Sequence, residues 1–194
     1  MENELFSFRK NAILDGLCEE WDNMWGACHG DKEKLVRLAL MQQSIPYFAS
    51  YCYNGKGLSK EYIEDTFKEL VKGHIFNDCD MVEGFSYAMY VNARKGFTIG
   101  LNVAHIMWCK DIEITIEKTK CTSLYISNKS DVMVSLEGFN AVTIYLFDES
   151  RVTIERCDET SRVTILRYGS KCKADTDKSS CRGIIKTFQK ELRL

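Results

Sequence analysis

The sequence lacks the patterns that mark export, membrane insertion and nucleic-acid binding. No stretch approaches the roughly 18 consecutive apolar residues of a membrane span, and residues 1–10 carry two glutamates in place of the basic start and apolar core of a secretory signal. Lysine and arginine total 26 against 28 for aspartate and glutamate, so the net charge of -2 provides no general attraction for nucleic acid. We therefore expect a cytoplasmic protein with neither a membrane nor bulk nucleic acid as partner.

The sequence also lacks the spacings of a metal or redox site. Its nine cysteines form no C-x-x-C pair, and its three histidines, His29, His74 and His105, are not at ligand spacing. We expect reduced cysteines that pack as small apolar side chains, no metal and no cofactor. Cys28 beside His29 leaves open a cysteine–histidine nucleophile, which requires a third group to orient the histidine. Because no catalytic signature is present, the prediction is a protein that is not an enzyme.

What the sequence does contain is a 20-residue repeat in its second half. Apolar residues recur at this interval in four columns that share one register. The columns are Ile106, Ile126, Leu146 and Leu166; Ile112, Val132, Val152 and Cys172; Ala104, Leu124, Ile144 and Thr164; and Ile114, Val134, Ile154 and Ala174. A repeat of this length predicts a β-solenoid, in which each coil stacks its inward side chains on the coil below. We expect about four coils, with the pattern fading in the last.

The N-terminal part predicts helices. Apolar residues at helical spacing indicate one helix over about residues 4–25. Asp31 and Ser59 are suited to the N-caps of two further helices. Pro46, the only proline, is suited to the first turn of another, where a missing N–H removes no hydrogen bond.

The fold class expected from these segments is α+β. Residues 1–75 form a helical head, 76–100 a transitional coil, 101–175 the solenoid, and 176–194 a loop followed by an amphipathic helix over Gly183–Leu192. Both ends of a solenoid present open strand edges that require cover. We expect the head to cap one end and the C-terminal helix to cap the other.

Alternation within each coil predicts an outward row of aromatic and apolar side chains, the aromatic row. Its positions are His105, Tyr125, Tyr145 and Ile165, followed by Met107, Ser127, Phe147 and Arg167. An exposed row of this kind is a candidate contact surface. The alternative is that the helical head or a second copy of the chain covers it. The predicted binding residues are Tyr125, Tyr145, Phe147, Arg167 and His105, together with Lys56.

Lys56 lies in a glycine turn that precedes a predicted helix. The segment Gly55-Lys56-Gly57-Leu58-Ser59 combines glycines, a lysine and a helix N-terminus, which together can hold phosphate. Its glycine spacing differs from that of a Walker loop, and no strand precedes it. A plain turn and cap is the alternative. Arg167 or Lys56 would supply positive charge if the ligand is anionic.

Four segments of the N-terminal part carry a resemblance. They are Glu4-Leu5-Phe6-Ser7-Phe8-Arg9-Lys10, Gly16-Leu17-Cys18-Glu19-Glu20-Trp21, Lys34-Leu35-Val36-Arg37-Leu38-Ala39-Leu40 and Gly57-Leu58-Ser59-Lys60-Glu61-Tyr62-Ile63. The chain resembles uncharacterised small proteins of phages, prophages and mobile elements of gut Bacteroidales, which join a helical N-terminal part to a β-repeat C-terminal part. The resemblance covers most of the first 70 residues and the repeats in pattern. It implies a protein that acts in the cytoplasm of a bacterial host cell.

Three functions are compared within that setting. A binding protein that counters host defence, by binding a host protein or sequestering a nucleotide signal, predicts a homo-oligomer with the aromatic row or the Gly55 turn at the contact. A virion or assembly component, or an oligomerisation scaffold, would use the solenoid as a rigid spacer and predicts recovery of the protein in purified particles. An enzyme predicts clustered titratable groups, and the sequence shows no such cluster. The prediction is the non-enzymatic binding protein.

Overall fold

The chain folds as a helical head followed by a parallel β-solenoid, in a computed structural model that describes residues 4–78, 85–118, 122–138 and 140–191. The predicted α+β class and the order of its two parts are confirmed. The helices are α1 (Glu4–Leu14), α2 (Glu19–Ala27), α3 (Lys32–Ala39), α4 (Ile45–Tyr53) and α5 (Lys60–Phe67), and a 3-10 helix (Lys68–Val71) follows α5 directly. None of the helices in these ranges has the length and apolar composition that a membrane crossing requires.

Local signals place three of the helices as predicted. Asp31 Oδ1 accepts a hydrogen bond from the Lys34 N–H at 3.1 Å and caps α3. Ser59 Oγ accepts one from the Tyr62 N–H at 3.2 Å and caps α5. Pro46 lies in the first turn of α4, where its missing N–H leaves no helical hydrogen bond unmade.

The single long helix expected over residues 4–25 is wrong. The chain breaks at Gly16, which takes a left-handed φ of +95° before α2 begins. Glycine reaches this conformation without the steric cost that other residues incur. The break separates α1 from α2, and an ion pair between Arg9 and Asp22, 2.7 Å long, joins the two helices.

The strands that follow build two sheets. Within the described ranges they are β1 (Phe76–Asp78), β2 (Phe85–Val91), β3 (Phe97–Ile99), β4 (Val103–Met107), β5 (Lys110–Ile116), β6 (Thr122–Ser127), β7 (Asp131–Leu136), β8 (Ala141–Phe147), β9 (Arg151–Arg156), β10 (Arg162–Tyr168), β11 (Lys173–Thr176) and β12 (Ile184–Lys190). The larger sheet has the order β1-β2-β4-β6-β8-β10-β12, and the smaller sheet has the order β11-β9-β7-β5-β3. All neighbours are parallel except β1 and β2.

Each turn of the chain contributes one strand to either sheet. The solenoid therefore has about five turns rather than the four expected. The additional turn consists of β2 and β3, which pair in register with β4 and β5. It lies in the segment interpreted as a transitional coil, where a mixed apolar pattern conceals a regular turn.

The 20-residue interval is confirmed over residues 104–154. In the larger sheet Ala104, Leu124 and Ile144 are register partners, as are Ile106, Ile126 and Leu146. In the smaller sheet Ile112, Val132 and Val152 are register partners, as are Ile114, Val134 and Ile154. All of these side chains are buried, so the repeat does report the stacking of successive turns.

The predicted columns are wrong in the last turn, because the interval lengthens there. A register shift in β9 before Arg156 adds one residue. As a result β10 pairs one position later, and Ile165 stacks on Ile144. Thr164 and Leu166, which the 20-residue columns assign to the interior, alternate to the outer side.

The smaller sheet shifts by one residue more. Four residues, 169–172, connect β10 to β11, whereas three residues, 148–150, connect β8 to β9. Ala174 therefore pairs with Val152, and Cys172 is buried in the connecting turn instead of in the Val152 column.

The C-terminal capping helix expected over Gly183–Leu192 is wrong. Residues 184–190 form β12, which pairs in parallel with β10, and Leu192 lies outside the described residues. A short apolar run fits a strand as well as an amphipathic helix. Residues 184–190 form a strand because pairing with the open edge of β10 satisfies the backbone N–H and C=O groups of that edge.

The core of the head continues onto the outer face of the larger sheet. Phe48 and Phe67 of the head belong to one buried cluster with Met89, Val91 and Met107 of β2 and β4. A separate cluster fills the interior of the solenoid. The head is thus seated on a side of the solenoid, against the face that carries the aromatic row.

Candidate ligand cavity and the covered aromatic row

The aromatic row exists, and the helical head covers part of it. Tyr125 and Tyr145 stack with ring centroids 4.4 Å apart and planes within 4°, and Phe147 stacks on Tyr168 at 4.9 Å. Tyr125, Phe147 and His105 are buried. At these three residues the row does not face solvent as expected, and the head covers it, whereas Tyr145 and Tyr168 are half-buried.

Helix α4 provides much of this cover, because its apolar side chains face the row. Ile45 is 0% exposed and packs in one cluster with Tyr125 and Phe147. Phe48 meets His105 edge-on, with ring centroids 6.3 Å apart. Large aromatic side chains dominate the energetics of a buried contact. His105, Tyr125 and Phe147 thus stabilise the head on the solenoid and are covered by it.

Polar contacts join the same two parts. Asn128 Nδ2 donates to the Ala49 carbonyl at 3.4 Å, and Tyr53 Oη donates to Glu149 Oε1 at 2.9 Å. Both bonds connect α4 with turns of the solenoid. They set the orientation of the head, because hydrogen bonds are directional where apolar contacts are not.

His105 is fully buried beneath the head. Its Nε2 atom lies 2.9 Å from Ser127 Oγ, and that hydroxyl donates to Asn128 Oδ1 at 2.6 Å. The Ser127 hydroxyl is thereby left as an acceptor for an Nε2–H donor. Burial lowers the pKa of His105 to about 3, so the ring is neutral at neutral pH. Its position indicates a packing role at the junction.

Asp148 lies in the turn between β8 and β9, close to this junction. Its Oδ2 atom is buried without a hydrogen-bond partner among the residues that the structure describes. Burial raises the pKa of Asp148 from 3.8 to about 6. The ionised carboxylate therefore carries a desolvation cost in the folded chain, which makes it a titrating group at the contact between head and solenoid.

Neither predicted cation lies in the aromatic row. The register shift in β9 sets Arg167 in an inward column, where its Nη1 donates to the Cys172 carbonyl at 3.4 Å. The assignment of Arg167 to the row is wrong by one residue, since Tyr168 pairs with Phe147. Lys56 lies in the exposed turn between α4 and α5.

The helical head contains a partly open apolar cavity of about 740 Å³, the head cavity. Its lining includes Leu17, Trp21, Trp25, Leu38, Tyr47 and Tyr51. Protein interiors contain few voids larger than a water molecule, whereas small-molecule sites measure about 300–1,000 Å³ and are mostly apolar. In volume and in lining, the head cavity matches a ligand site.

Helix α2 forms a loosely packed wall of the head cavity. No residue of α2 is buried, although Trp21 and Trp25 line the cavity. The ion pair between Arg9 and Asp22 attaches α2 to α1, and both of its side chains are about one third exposed. Hydrogen bonding from the Arg9 guanidinium holds the pKa of Asp22 below its ordinary value. The wall is thus attached by this partly solvated ion pair and by Trp25, whose ring meets that of Phe8 edge-on with centroids 4.9 Å apart.

Exposed lining residues mark the entrance. Asp15 and Cys18 come from the loop between α1 and α2, while Tyr47 and Lys56 come from α4 and the turn after it. Lys56 Nζ lies 2.7 Å from Asp15 Oδ2, and this hydrogen bond lowers the pKa of Asp15. An apolar interior with a charged pair at its mouth is suited to an amphiphile.

The N-terminus of α5, which the sequence suggests as an anion contact, already binds a carboxylate of the same chain. Glu4 Oε2 accepts a hydrogen bond from the Ser59 N–H at 2.8 Å, and Glu4 Oε1 accepts one from Ser59 Oγ at 3.0 Å. A carboxylate is stabilised at the positive end of a helix. The Glu4 carboxylate therefore occupies the place where a phosphate would bind.

Cys28 lacks the environment of a catalytic thiol. Its Sγ donates to the Met24 carbonyl at 3.4 Å, and burial raises the pKa of the thiol, whereas activation requires a lowered pKa. His29 is exposed. No group of three or more His, Cys, Asp or Glu side chains suited to a metal ion occurs in the part of the chain that the structure describes.

Sequence reasoning misses the head cavity because of one wrong helix. A single helix over residues 4–25 makes Trp21 and Trp25 part of a buried stripe, whereas the break at Gly16 turns them toward the cavity. One signal in the sequence could have indicated the cavity. Large aromatic side chains, Trp21 and Trp25, follow a glycine, Gly16, that can end a helix. Short helices bury less ring surface against each other than one long amphipathic helix does.

Comparisons with protein-family models, with curated proteins and with solved structures find no match to this chain. The geometry of the head cavity and of its entrance is therefore the basis for assigning a function.

Proposed function

We propose that this protein is a non-enzymatic binding protein that holds an apolar or amphiphilic small molecule in the head cavity. The observation that carries the proposal is the apolar space of about 740 Å³ behind the ion pair of Lys56 and Asp15. The solenoid acts as a rigid platform, because the covered aromatic row holds α4, which contributes Tyr47 and Tyr51 to the lining.

The lining indicates how such a ligand is held. An aliphatic or aromatic body contacts Trp21, Trp25 and Tyr51, and a polar end remains near Lys56 at the entrance. Burial of one methylene contributes about 0.8 kcal/mol, so eight would contribute about 6 kcal/mol. Micromolar affinity corresponds to about 8 kcal/mol. Apolar contact thus supplies most of the free energy, and the entrance pair sets the orientation.

A nucleotide signal fits the head cavity less well than an apolar molecule. Phosphates require several cations or N–H donors, and Glu4 already occupies the N–H of Ser59. Binding of a host protein, the counter-defence role in a phage-infected bacterium, the homo-oligomer and the alternative of a virion scaffold stay predictions. Each of them is compatible with a cavity that holds a small molecule.

The test uses the full chain and an apolar anionic fluorophore, 1-anilinonaphthalene-8-sulfonate. We expect saturable binding that quenches the emission of Trp21 and Trp25, together with an apolar molecule released when the native protein is denatured and analysed by mass spectrometry. The variant Ala39→Phe places a ring in the cavity, because Ala39 lines it. Its affinity for the fluorophore should fall at least tenfold.

The matched control is Ala27→Phe. Ala27 is the last residue of α2, is exposed and does not line the cavity. Its fluorophore affinity should equal that of the unmodified chain, with cooperative unfolding in both variants. Equal binding by both variants, or binding that does not saturate, contradicts the proposal.

A further inference from the structure

Strand β12 ends the larger sheet with an open edge. It pairs with β10, and no strand of the described residues pairs with its other side. Ile184 donates its N–H to the Ser161 carbonyl at 3.0 Å, toward β10. Successive residues of a strand alternate the side to which their N–H and C=O groups point. Ile185, Thr187 and Gln189 therefore direct these groups to the open edge.

Apolar and basic side chains alternate on the outer face of β12. Ile184 and Phe188 are 51% and 46% exposed, and they share this face with Lys186 and Lys190. Phe188 pairs with Leu166, which itself pairs with Tyr145 of the aromatic row. The face thus continues the row beyond the part that the head covers. Open backbone groups next to such side chains are what an added strand requires.

The positive charge of β12 indicates which kind of strand could pair with its open edge. Residues 181–190 contain three basic side chains and no acidic one. Arg182, Lys186 and Lys190 form no ion pair with any other described residue. An antiparallel second copy that matched Ile184 with Phe188 would bring two Lys186 side chains together, and like charges directly opposite are destabilising. A second copy is therefore disfavoured in that register, whereas an acidic segment complements Lys186 and Lys190.

We propose that β12 is a docking edge for an extended acidic segment of another protein, which adds to the larger sheet as a further strand. Its backbone pairs with the outward groups of Thr187 and its neighbours, its apolar side chains contact Ile184 and Phe188, and its carboxylates pair with Lys186 and Lys190. The head cavity takes no part in this contact. A negative result at β12 would therefore leave the proposal of a ligand in the head cavity unaffected, and the reverse also holds.

The test measures fluorescence anisotropy of two labelled peptides as long as β12. One repeats the unit Glu-Ser-Val-Ser, so that glutamate and valine alternate along one face of the extended peptide, and the other has lysine in place of each glutamate. The full chain should bind the glutamate peptide and leave the lysine peptide free. The variant Thr187→Pro removes an N–H of the open edge and spares the bonds to β10. It should lose the glutamate peptide and keep its thermal unfolding.

A charge reversal, Lys186→Glu with Lys190→Glu, supplies the second arm and serves even if the proline variant does not fold. It should exchange the preference, so that the lysine peptide binds and the glutamate peptide does not. Equal binding of both peptides, or undiminished binding by a folded Thr187→Pro chain, overturns the proposal. So does a dimer of the full chain that Thr187→Pro dissociates, because a second copy would then occupy the edge.

Discussion

The helical head and the β-solenoid differ in how completely they bury their apolar side chains. In the solenoid, Ile106, Ile126 and Leu146 are register partners with no exposed surface. In the head, α2 buries no residue, and Trp21 and Trp25 line a cavity. Parallel pairing holds side chains of successive turns in contact, whereas short helices touch only where their faces happen to match. The solenoid is thus the stable part and the head the part with room for a ligand.

The parts of the molecule with the most buried contacts differ from the part that contains the cavity. Binding sites and moving elements are drawn from the parts of a protein with few buried contacts. The head meets that description at α2 but not at α4, which the aromatic row holds in place. Helix α4 is therefore anchored on the solenoid, whereas α2, which also lines the cavity, has no buried residue.

The largest expected effect tests whether the solenoid carries the stability. Ile126→Ala should lower the free energy of unfolding by about 3 kcal/mol, because it removes a fully buried side chain between two stacked neighbours. Leu17→Ala, a matched truncation of a half-buried residue in the cavity lining, should cost less than about 1 kcal/mol. Urea unfolding followed by circular dichroism measures both. Similar losses for the two variants would remove the contrast between the regions.

The second effect concerns the junction and depends on pH. Asp148 has a pKa of about 6 in the fold against 3.8 ordinarily, so the unfolded chain releases this proton first and stability falls as the pH rises from about 4 to 6. His105 has a pKa of about 3 against 6.5, so the unfolded chain gains this proton first and stability rises with pH over the same window. The two contributions oppose each other.

Asp148→Asn removes one of these contributions and leaves the other. Asparagine tolerates the left-handed φ of +56° at this position. The variant should be about 3 kcal/mol more stable than the unmodified chain at pH 7, and its stability should rise with pH between 4 and 6. Melting temperatures across this range measure the change, with Asp175→Asn in exposed β11 as control. A variant with an unchanged pH profile would show that burial of Asp148 has no energetic weight.

The smallest expected effect tests how α2 is attached to the rest of the head. Arg9→Ala removes the partly exposed ion pair with Asp22 and should leave global unfolding almost unchanged, because such pairs contribute little. Amide hydrogen exchange should accelerate within α2 and stay constant in α4. The same variant should bind and release the fluorophore faster, which stopped-flow mixing detects. Uniform exchange throughout the head would mean that α2 is not attached independently of the rest.

The sequence pattern predicts the solenoid more accurately than the head, and within the solenoid its 20-residue columns fail only in the last turn. The columns through Ile106 and Ile112 predict the stacking correctly, because a constant coil length and alternating side chains act on neighbouring turns. They fail at Thr164, since a single added residue in β9 reverses which side chains face inward. Two traces of that shift are visible in the repeat: Arg156 follows Ile116 and Leu136 at the 20-residue interval, and Thr164 follows Leu124 and Ile144.

The candidate site was far less accessible to such reasoning. Lys56 is at the entrance of the head cavity, but the tryptophans that line it are concealed by the predicted long helix. Of the other predicted binding residues, His105, Tyr125 and Phe147 are buried beneath the head, and half-buried Tyr145 stacks on Tyr125. Periodicity identifies a face of a sheet and carries no information about what covers it.

The sequence by itself determined the stacked interior of the solenoid and the caps of the helices, because each depends on residues at a short and regular spacing. Only the tertiary structure decided that the head covers the aromatic row, that residues 184–190 form a strand, and that the head contains a cavity. These outcomes rest on contacts between distant parts of the chain, such as the hydrogen bond from Asn128 to Ala49 across 79 residues. Such contacts are set by how surfaces fit and leave no periodic pattern in the sequence.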